Sequence, residues 1–255
     1  MKSITLLIVC LSAILYNQDN NKITIFLVGD STVQNGSGKG SHGLWGWGAF
    51  LADQMDTSRV EVINKARGGR SSRTFISEGL WNLIHDQIKK GDYVIIQFGH
   101  NGGPVNDNFR ARGSIKGNGE ETLEINNMLN GKRELVKSYG WYIRKYIADT
   151  KAKGGIPIVC SLVARNRWEG DKVIRARDTY TAWAKEAAMM EGAHFIDLND
   201  LVATKYESLG ERQVTKNLFL TDHTHTNYDG AVINAKLVAQ AIKDLRGCDL
   251  SEMVK

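Results

Sequence analysis

The chain has 255 residues, 42% of them hydrophobic, and a formal net charge of +5. This length fits a single domain with a substantial core, and three cysteines are too few for a disulfide scaffold. No run of Lys and Arg with interleaved aromatic residues indicates a nucleic-acid partner. The positive charge would attract an anionic polymer, although ordinary surface charge is the simpler explanation of it.

The first residues resemble a secretory signal. Lys2 precedes an apolar stretch at 4–15, which ends in a polar segment. About a dozen apolar residues fit an export signal, whereas a membrane span needs about 20. Residues 1–20 are therefore predicted to be a signal peptide and residues 21–255 the catalytic domain. We expect a periplasmic or extracellular protein with no stable membrane association once processed.

The remaining chain alternates short apolar runs with longer amphipathic stretches. The predicted strands are 24–28, 60–64, 93–98, 156–162 and 194–198. The predicted helices are 47–54, 77–89, 132–153, 172–191, 198–209 and 229–245. This alternation indicates parallel strands covered on both faces and joined by right-handed crossovers. Ligands of such sheets bind beyond the carboxyl ends of the strands.

The first strand leads directly into Gly-Asp-Ser, ending at Ser31. A serine hydroxyl is a weak nucleophile unless a base takes its proton and a third group orients that base. Asp222 and His225, near the other end of the chain, have the residue types for the orienter and the base. His223 is an alternative base, but adjacent side chains diverge, whereas an Asp-x-x-His pair can bond across one turn. Asp30 is expected to brace the turn.

Two more turns follow predicted strands. Gly69 lies in the turn after the second strand, and Asn101 lies in Gly-His-Asn after the third. Glycine turns and short amides can present N–H groups to a ligand. His100 is expected to be structural. The six histidines show no other metal-like cluster, so neither a metal nor an organic cofactor is predicted.

These motifs, in this order, resemble those of the SGNH (GDSL-type) hydrolases. Their residues are similar to those of the rhamnogalacturonan acetylesterase branch of that superfamily. The resemblance implies a flavodoxin-like three-layer α/β/α sandwich with a parallel sheet of about five strands. It also implies a catalytic triad of Ser31, Asp222 and His225. The oxyanion hole would comprise the N–H groups of Ser31 and Gly69 and the amide of Asn101. Gly102 is a departure, because the family commonly has Asp there, and it suggests a change in loop conformation or substrate fit.

The predicted function is a serine carbohydrate esterase that removes acetyl groups from a plant cell-wall polysaccharide or oligosaccharide, with rhamnogalacturonan as the first choice. An acetylxylan esterase with the same machinery remains an alternative. A GDSL-type lipase or thioesterase would need an apolar acyl site. A carbohydrate-binding protein with a dead site would not need the full set of reactive residues.

Substrate contacts are expected from the long loop after Asn101. The segment 102–131 is predicted to form a wall of the cleft, with Arg110 and Arg112 as candidate contacts. Trp168 is a third candidate, because a flat aromatic face packs against a sugar ring; Trp45 and Trp47 are weaker ones. Each Trp fits the core equally well.

Overall fold

The structure is a computed structural model that describes residues 22–34 and 42–255. The predicted signal peptide, residues 1–20, lies outside the described residues. Within them, no helix is both long and apolar enough to cross a membrane.

A parallel sheet forms the centre of the molecule. In chain order the strands are β1 Ile23–Gly29, β2 Val60–Asn64, β3 Tyr93–Gln97, β4 Thr122–Asn126, β5 Arg133–Lys137, β6 Ile156–Cys160, β7 Trp168–Glu169, β8 Lys172–Val173 and β9 His194–Ile196. Five of them pair in the order β2-β1-β3-β6-β9, all parallel. Numbered among themselves, these five have the order 2-1-3-4-5 of flavodoxin-like sheets, which confirms the predicted fold class.

Helices cover both faces of this sheet. They are α1 Ser72–Ser77, α2 Leu80–His85, α3 Tyr139–Ala152, α4 Tyr180–Met190, α5 Leu198–Leu209, α6 Glu211–Leu218 and α7 Tyr228–Lys243, with short 3-10 helices at Trp47–Ala49, Ala52–Gln54 and Asp249–Met253. The core divides accordingly. Ile25 and Leu27 of β1 pack with α5, α6 and α7, whereas Phe26 and Val28 pack with α1 to α4. Successive strand residues point to opposite faces, so each strand supplies both cores.

Four of the six predicted helices differ from the observed ones. The predicted 47–54 helix is two 3-10 turns. The predicted 77–89 helix is the shorter α2, and α1, which was not predicted, ends at Ser77 just before it. Residues 172–191 begin with strand β8 and become helical only at Tyr180. The predicted 132–153 helix is a strand, β5, followed by α3, whose N-cap is Ser138. β5 pairs antiparallel with β4, so the predicted loop 102–131 contains a strand as well.

The two ends of the chain meet beside the first strand. The main chains of Trp45 and Thr226 are joined by a hydrogen bond of 2.9 Å, and the Thr226 hydroxyl donates to the Trp45 carbonyl at 3.0 Å. Asn227 caps α7 by accepting from the N–H of Gly230 at 3.0 Å. The loop before α7 is thereby held near the segment after β1.

Both remaining cysteines are buried free thiols, Cys160 in the sheet and Cys248 near the C-terminus. Burial raises the pKa of the Cys160 thiol to about 12, so it stays protonated at neutral pH. Neither residue forms a disulfide.

Candidate active site

Ser31 lies on the turn that follows β1. Asp30 is fully buried, and its Oδ1 accepts hydrogen bonds from the N–H and the hydroxyl of Thr32 at 2.9 and 2.8 Å. Its carbonyl accepts from the N–H groups of Val33 and Gln34. The carboxylate therefore satisfies donors of its own turn and holds the backbone that presents Ser31.

A chain of hydrogen-bond contacts connects Ser31 to the two residues near the C-terminus. Ser31 Oγ lies 2.8 Å from Nε2 of His225, and Nδ1 of His225 lies 2.7 Å from Oδ2 of Asp222. The second carboxylate oxygen of Asp222 accepts the main-chain N–H groups of Thr224 and His225 at 2.6 and 2.7 Å. This turn places Nδ1 of the His225 ring beside the Asp222 carboxylate and directs Nε2 toward Ser31.

Asp222 is a carboxylate under strong local control. Partial burial raises its pKa, but the hydrogen bonds from the His225 ring and from the N–H groups of His225 and Thr224 outweigh burial and lower the pKa to about 2. The group therefore stays ionised at neutral pH. An ionised partner at Nδ1 favours the tautomer in which Nε2 is free to accept a proton.

His223 is placed differently. Its carbonyl accepts from the N–H of Asn166 at 2.8 Å, while its ring makes no hydrogen bond to any described residue. Partial burial and the nearby cations of Arg167 and Arg165 lower the pKa of His223. The structure therefore brings His225, rather than its neighbour, to the Ser31 hydroxyl.

The turn after β2 lies against Ser31. A Cβ on Gly68 would lie 3.5 Å from the Ser31 Cβ, and the Gly68 N–H is already donated to the side chain of Gln34. Gly69 has a φ of +77°, which glycine adopts without strain, and its carbonyl accepts from Arg112. Among the described residues, the N–H groups of Ser31 and Gly69 have no hydrogen-bond acceptor, so both can donate to a ligand.

Asn101 is the third predicted donor. It is only 7% exposed, and one N–H of its amide donates to the carbonyl of Arg70 at 2.9 Å. A side-chain amide has two N–H groups, so the second is left for a ligand. The bond to Arg70 joins the turn after β3 to the turn after β2. The predicted oxyanion donors thus come from three adjacent strands at one edge of the sheet.

Arg165, which follows β6, is a neighbour that the sequence did not single out. Its Nε lies 3.3 Å from Nδ1 of His100, and its Nη2 lies 3.4 Å from the His100 carbonyl. Burial lowers the pKa of His100 to about 4, and Arg165 adds to this effect, so the imidazole is neutral. The sequence offered one signal for Arg165: it follows β6, the strand that pairs with β3, and therefore lies at the same edge of the sheet.

Gly102 is explained by a packing contact. A Cβ at this position would overlap the hydroxyl oxygen of Tyr180, which donates to the Gly102 carbonyl at 3.0 Å. The Tyr180 ring packs edge-on against Tyr139 and Trp183, so it is held in place. Tyr180 thus occupies the space that any longer side chain at position 102 would need.

None of the three tryptophan candidates lines the cavity that contains Arg110 and Arg112 or the cavity that contains Arg165. Trp47 is 1% exposed and donates to Gln97 at 2.8 Å, so it is a core residue and not a sugar contact. Trp45 packs against Phe50 and Tyr228. Trp168 lies in β7 and donates to Asn166 at 2.7 Å.

Two basic cavities flank the site. The first, which we call the hairpin cavity, has a volume of about 670 Å³ and is lined by residues from Gly69 to Glu134, including Arg110 and Arg112. The second, the β6 cavity, has a volume of about 260 Å³ and is lined by residues that include Gly99, Arg165 and Tyr180. The structure therefore places Arg110 and Arg112, but not Trp168, in the wall of a cavity beside the predicted oxyanion donors. No group of three or more metal-binding side chains occurs in the described part of the chain.

Similar proteins are known for most of the chain. The profile of the GDSL-like Lipase/Acylhydrolase family matches residues 27–233. The rhamnogalacturonan acetylesterase of Emericella nidulans is 33% identical over 86% of this chain and 84% of its own length. The probable rhamnogalacturonan acetylesterase YesY of Bacillus subtilis is 32% identical over 90% of this chain and 96% of its own.

Solved structures give the same picture of the fold. The Bacillus subtilis protein YxiM superposes with a TM-score of 0.70 at 26% identity; the match covers 87% of this chain and 56% of that longer one. The acetylxylan esterase Axe2 of Geobacillus stearothermophilus superposes with a TM-score of 0.58 at 15% identity, over 86% of this chain and 93% of its own. The second likeness shows a shared fold alone.

Proposed function

The chain belongs to the GDSL-like Lipase/Acylhydrolase family, and from this membership we propose that it removes acetyl groups from a plant cell-wall polysaccharide, with rhamnogalacturonan as the substrate. It is a serine carboxylic ester hydrolase. Export directed by residues 1–20 would bring it to such a polymer.

One observation carries the proposal: Ser31, His225 and Asp222 form a continuous hydrogen-bonded chain. We assign Ser31 as the nucleophile, His225 as the base and Asp222 as the group that orients it. In such a chain the base takes the serine proton as the hydroxyl attacks. An isolated serine keeps its proton at neutral pH and is a weak nucleophile.

The reaction follows from these contacts. Nε2 of His225 takes the Ser31 proton while Oγ attacks the acetyl carbonyl, and the negative charge moves to the carbonyl oxygen. The N–H groups of Ser31 and Gly69 and the free N–H of Asn101 stabilise this oxyanion, and losing one such donor typically costs about 10²–10³ in rate. The protonated His225 then gives its proton to the departing sugar oxygen. Water, activated by His225 in the same way, attacks the acetyl-serine and releases acetate.

The surroundings favour a sugar ester over a lipid. The hairpin cavity contains Arg110, Arg112 and Lys132, and the β6 cavity contains Arg165 and Arg167. A long acyl chain gains about 0.8 kcal/mol per buried methylene. The hairpin cavity beside the predicted oxyanion donors has few apolar residues, and only the smaller β6 cavity has several, among them Leu162, Val163 and Ile174. Acetylated xylan remains the second candidate substrate, because the same machinery would hydrolyse it.

Acetate release from purified polymers tests the proposal. We expect wild-type enzyme to release acetate from acetylated rhamnogalacturonan faster than from acetylated xylan, and to prefer acetyl over octanoyl esters of one leaving group. Ser31→Ala should abolish both activities while its unfolding free energy stays within about 1 kcal/mol of wild type. A Ser31→Ala enzyme with normal turnover would refute the mechanism. A preference for octanoyl esters would refute the carbohydrate substrate.

A further inference from the structure

We propose that an anionic polysaccharide lies across the carboxyl edge of the sheet and places its carboxylates in both basic cavities, one on each side of Ser31. The proposal rests on the acetylesterase function proposed above. It adds the path of the polymer and the residues that recognise its charge.

The hairpin cavity holds cations without carboxylate partners. Among the described residues, no carboxylate forms an ion pair with Arg110, Arg112 or Lys132. Burial lowers the pKa of Arg112, and the nearby guanidinium groups of Arg110 and Arg70 lower it further. A bound anion would reduce the repulsion between these neighbouring positive charges.

The acidic groups near this cavity are already engaged. Glu78 pairs with Arg70 at 2.9 Å, and Glu134 pairs with Arg73 at 2.6 Å. Asp107 accepts hydrogen bonds from three main-chain N–H groups of its own loop, which lower its pKa. The two carboxylates that line this cavity are therefore each paired with an arginine, and Asp107, which stays ionised, is not among the residues that line it.

Hydrogen bonds from a buried arginine hold the wall of the hairpin cavity in place. Arg73 is fully buried and binds Glu134 of β5 through two nitrogens, at 2.7 and 2.6 Å. Its third nitrogen donates to the carbonyls of Val105 and Gly113 at 2.7 and 2.6 Å. One buried guanidinium thus joins α1, the β4–β5 hairpin and the loop that carries Arg110. A wall held in this way loses little entropy when a ligand binds.

Phe109 adds an apolar surface to the same cavity. Its side chain is 89% exposed, although the residue lines the cavity beside Arg110. A flat ring face next to cations suits a sugar that carries a carboxylate. We assign Phe109 as a contact for a sugar ring.

The β6 cavity provides the second cationic site. Arg165 and Arg167 line it, and no Asp or Glu of the described residues does. Arg175, also in its wall, is neutralised by Asp200 at 2.7 Å and by Glu207. Arg167 is exposed and has no ion-pair partner in the described part of the chain. The available charge in this cavity therefore comes from Arg165 and Arg167.

The strand order places Ser31 between these two sites. The turn after β2 borders the hairpin cavity, the segment after β6 borders the other, and β1 and β3 lie between them. With about 4.8 Å between neighbouring strands, the two borders are about 14 Å apart. A polymer that reaches both cavities must pass over the turn after β1. The enzyme would thus act within a chain, holding charged sugars on both sides of the acetylated one.

Single charge reversals test this path. Lys132→Glu changes the hairpin cavity and Arg167→Glu changes the β6 cavity; Lys89→Glu, on an exposed residue before β3 at the opposite edge of the sheet, is the matched control. The measurement is kcat/KM on a long acetylated uronate polymer divided by kcat/KM on a small neutral acetyl ester. We expect each cavity variant to lower this ratio about five- to tenfold at low salt, and the control to leave it within about twofold. The double variant should lower it further.

The outcomes separate the two proposals. A wild-type enzyme that hydrolyses neither substrate refutes the esterase function itself. Hydrolysis of both with an unchanged ratio in either cavity variant refutes only the polymer path, as does an equal fall in Lys89→Glu. Should a reversal variant unfold, Lys132→Ala and Arg167→Ala provide the same comparison with smaller expected falls. Neutral acetylated xylan should show no dependence on any of these charges.

Discussion

Replacing Asp222 by asparagine tests how the base is oriented. The amide of Asp222→Asn can keep accepting main-chain N–H groups through its oxygen while its NH₂ faces Nδ1 of His225. Nδ1 must then accept, so the proton moves to Nε2, which lies 2.8 Å from Ser31 Oγ. A protonated Nε2 cannot take the serine proton. We expect turnover of a small acetyl ester to fall on the order of 10³–10⁴-fold.

The same change should cost little stability. The pKa of Asp222 falls from 3.8 to about 2 on folding. That lowering would be worth about 2 kcal/mol for a buried group; since the carboxylate is 39% exposed, screening reduces it to about 1 kcal/mol. A carboxyl group whose pKa is lower in the folded state than in the unfolded state stabilises the protein at pH values above the unfolded-state pKa. This contribution is therefore present at pH 7 and disappears as the pH falls from about 4 toward 2.

Two measurements decide the matter. Steady-state kinetics at pH 7 give the fall in turnover, and urea unfolding at pH 7 gives the change in stability. A fall of less than tenfold would mean that His225 does not depend on Asp222 for its tautomer. A loss of several kcal/mol would mean that the kinetic defect reflects a damaged fold rather than the wrong proton position.

Three further changes have distinct expected results. His225→Ala should lose about as much activity as Ser31→Ala, because triad members act as a unit, whereas His223→Ala should lose less than about tenfold. Steady-state kinetics measures both losses, and the opposite order would assign the base role to His223. Asn101→Ala should lower kcat about 10²–10³-fold with a smaller change in KM, and a change in KM alone would exclude it from the oxyanion hole. Gly102→Ala should destabilise by about 1–3 kcal/mol in urea unfolding, because its Cβ meets Tyr180, and an equal cost in a Tyr180→Ala background would refute that contact.

The sequence by itself determined the elements whose signals are local. Strands β1, β3 and β6 are nearly continuous apolar runs, and the helix that the periodicity predicts over 198–209 has the bounds observed for α5. The Asp222 to His225 pairing is also local, because one turn places the carboxylate beside the ring. Such features depend on residues within a few positions of each other, so periodicity and turn chemistry suffice to predict them.

The errors arose where a distant segment supplied the partner. Residues 133–137 carry apolar residues at spacings that continue into α3, so they were predicted to be helical; pairing with β4 makes them a strand. Trp47 was a candidate sugar contact, but it is buried against Gln97 on β3. A short segment has similar local preferences in both settings, and the tertiary partner decides between them.

Only the tertiary structure decided the geometry and the charge of the site. Ser31 and His225 are 194 positions apart, and their contact exists because the loop before α7 is bonded to Trp45. Arg165 reaches the site from the segment after β6 and Tyr180 from the first position of α4, where no motif marks them. Parallel strands bring their carboxyl ends to one edge whatever their separation in sequence. The sequence therefore identified which residues react, while the packing of the layers decided which charges surround them.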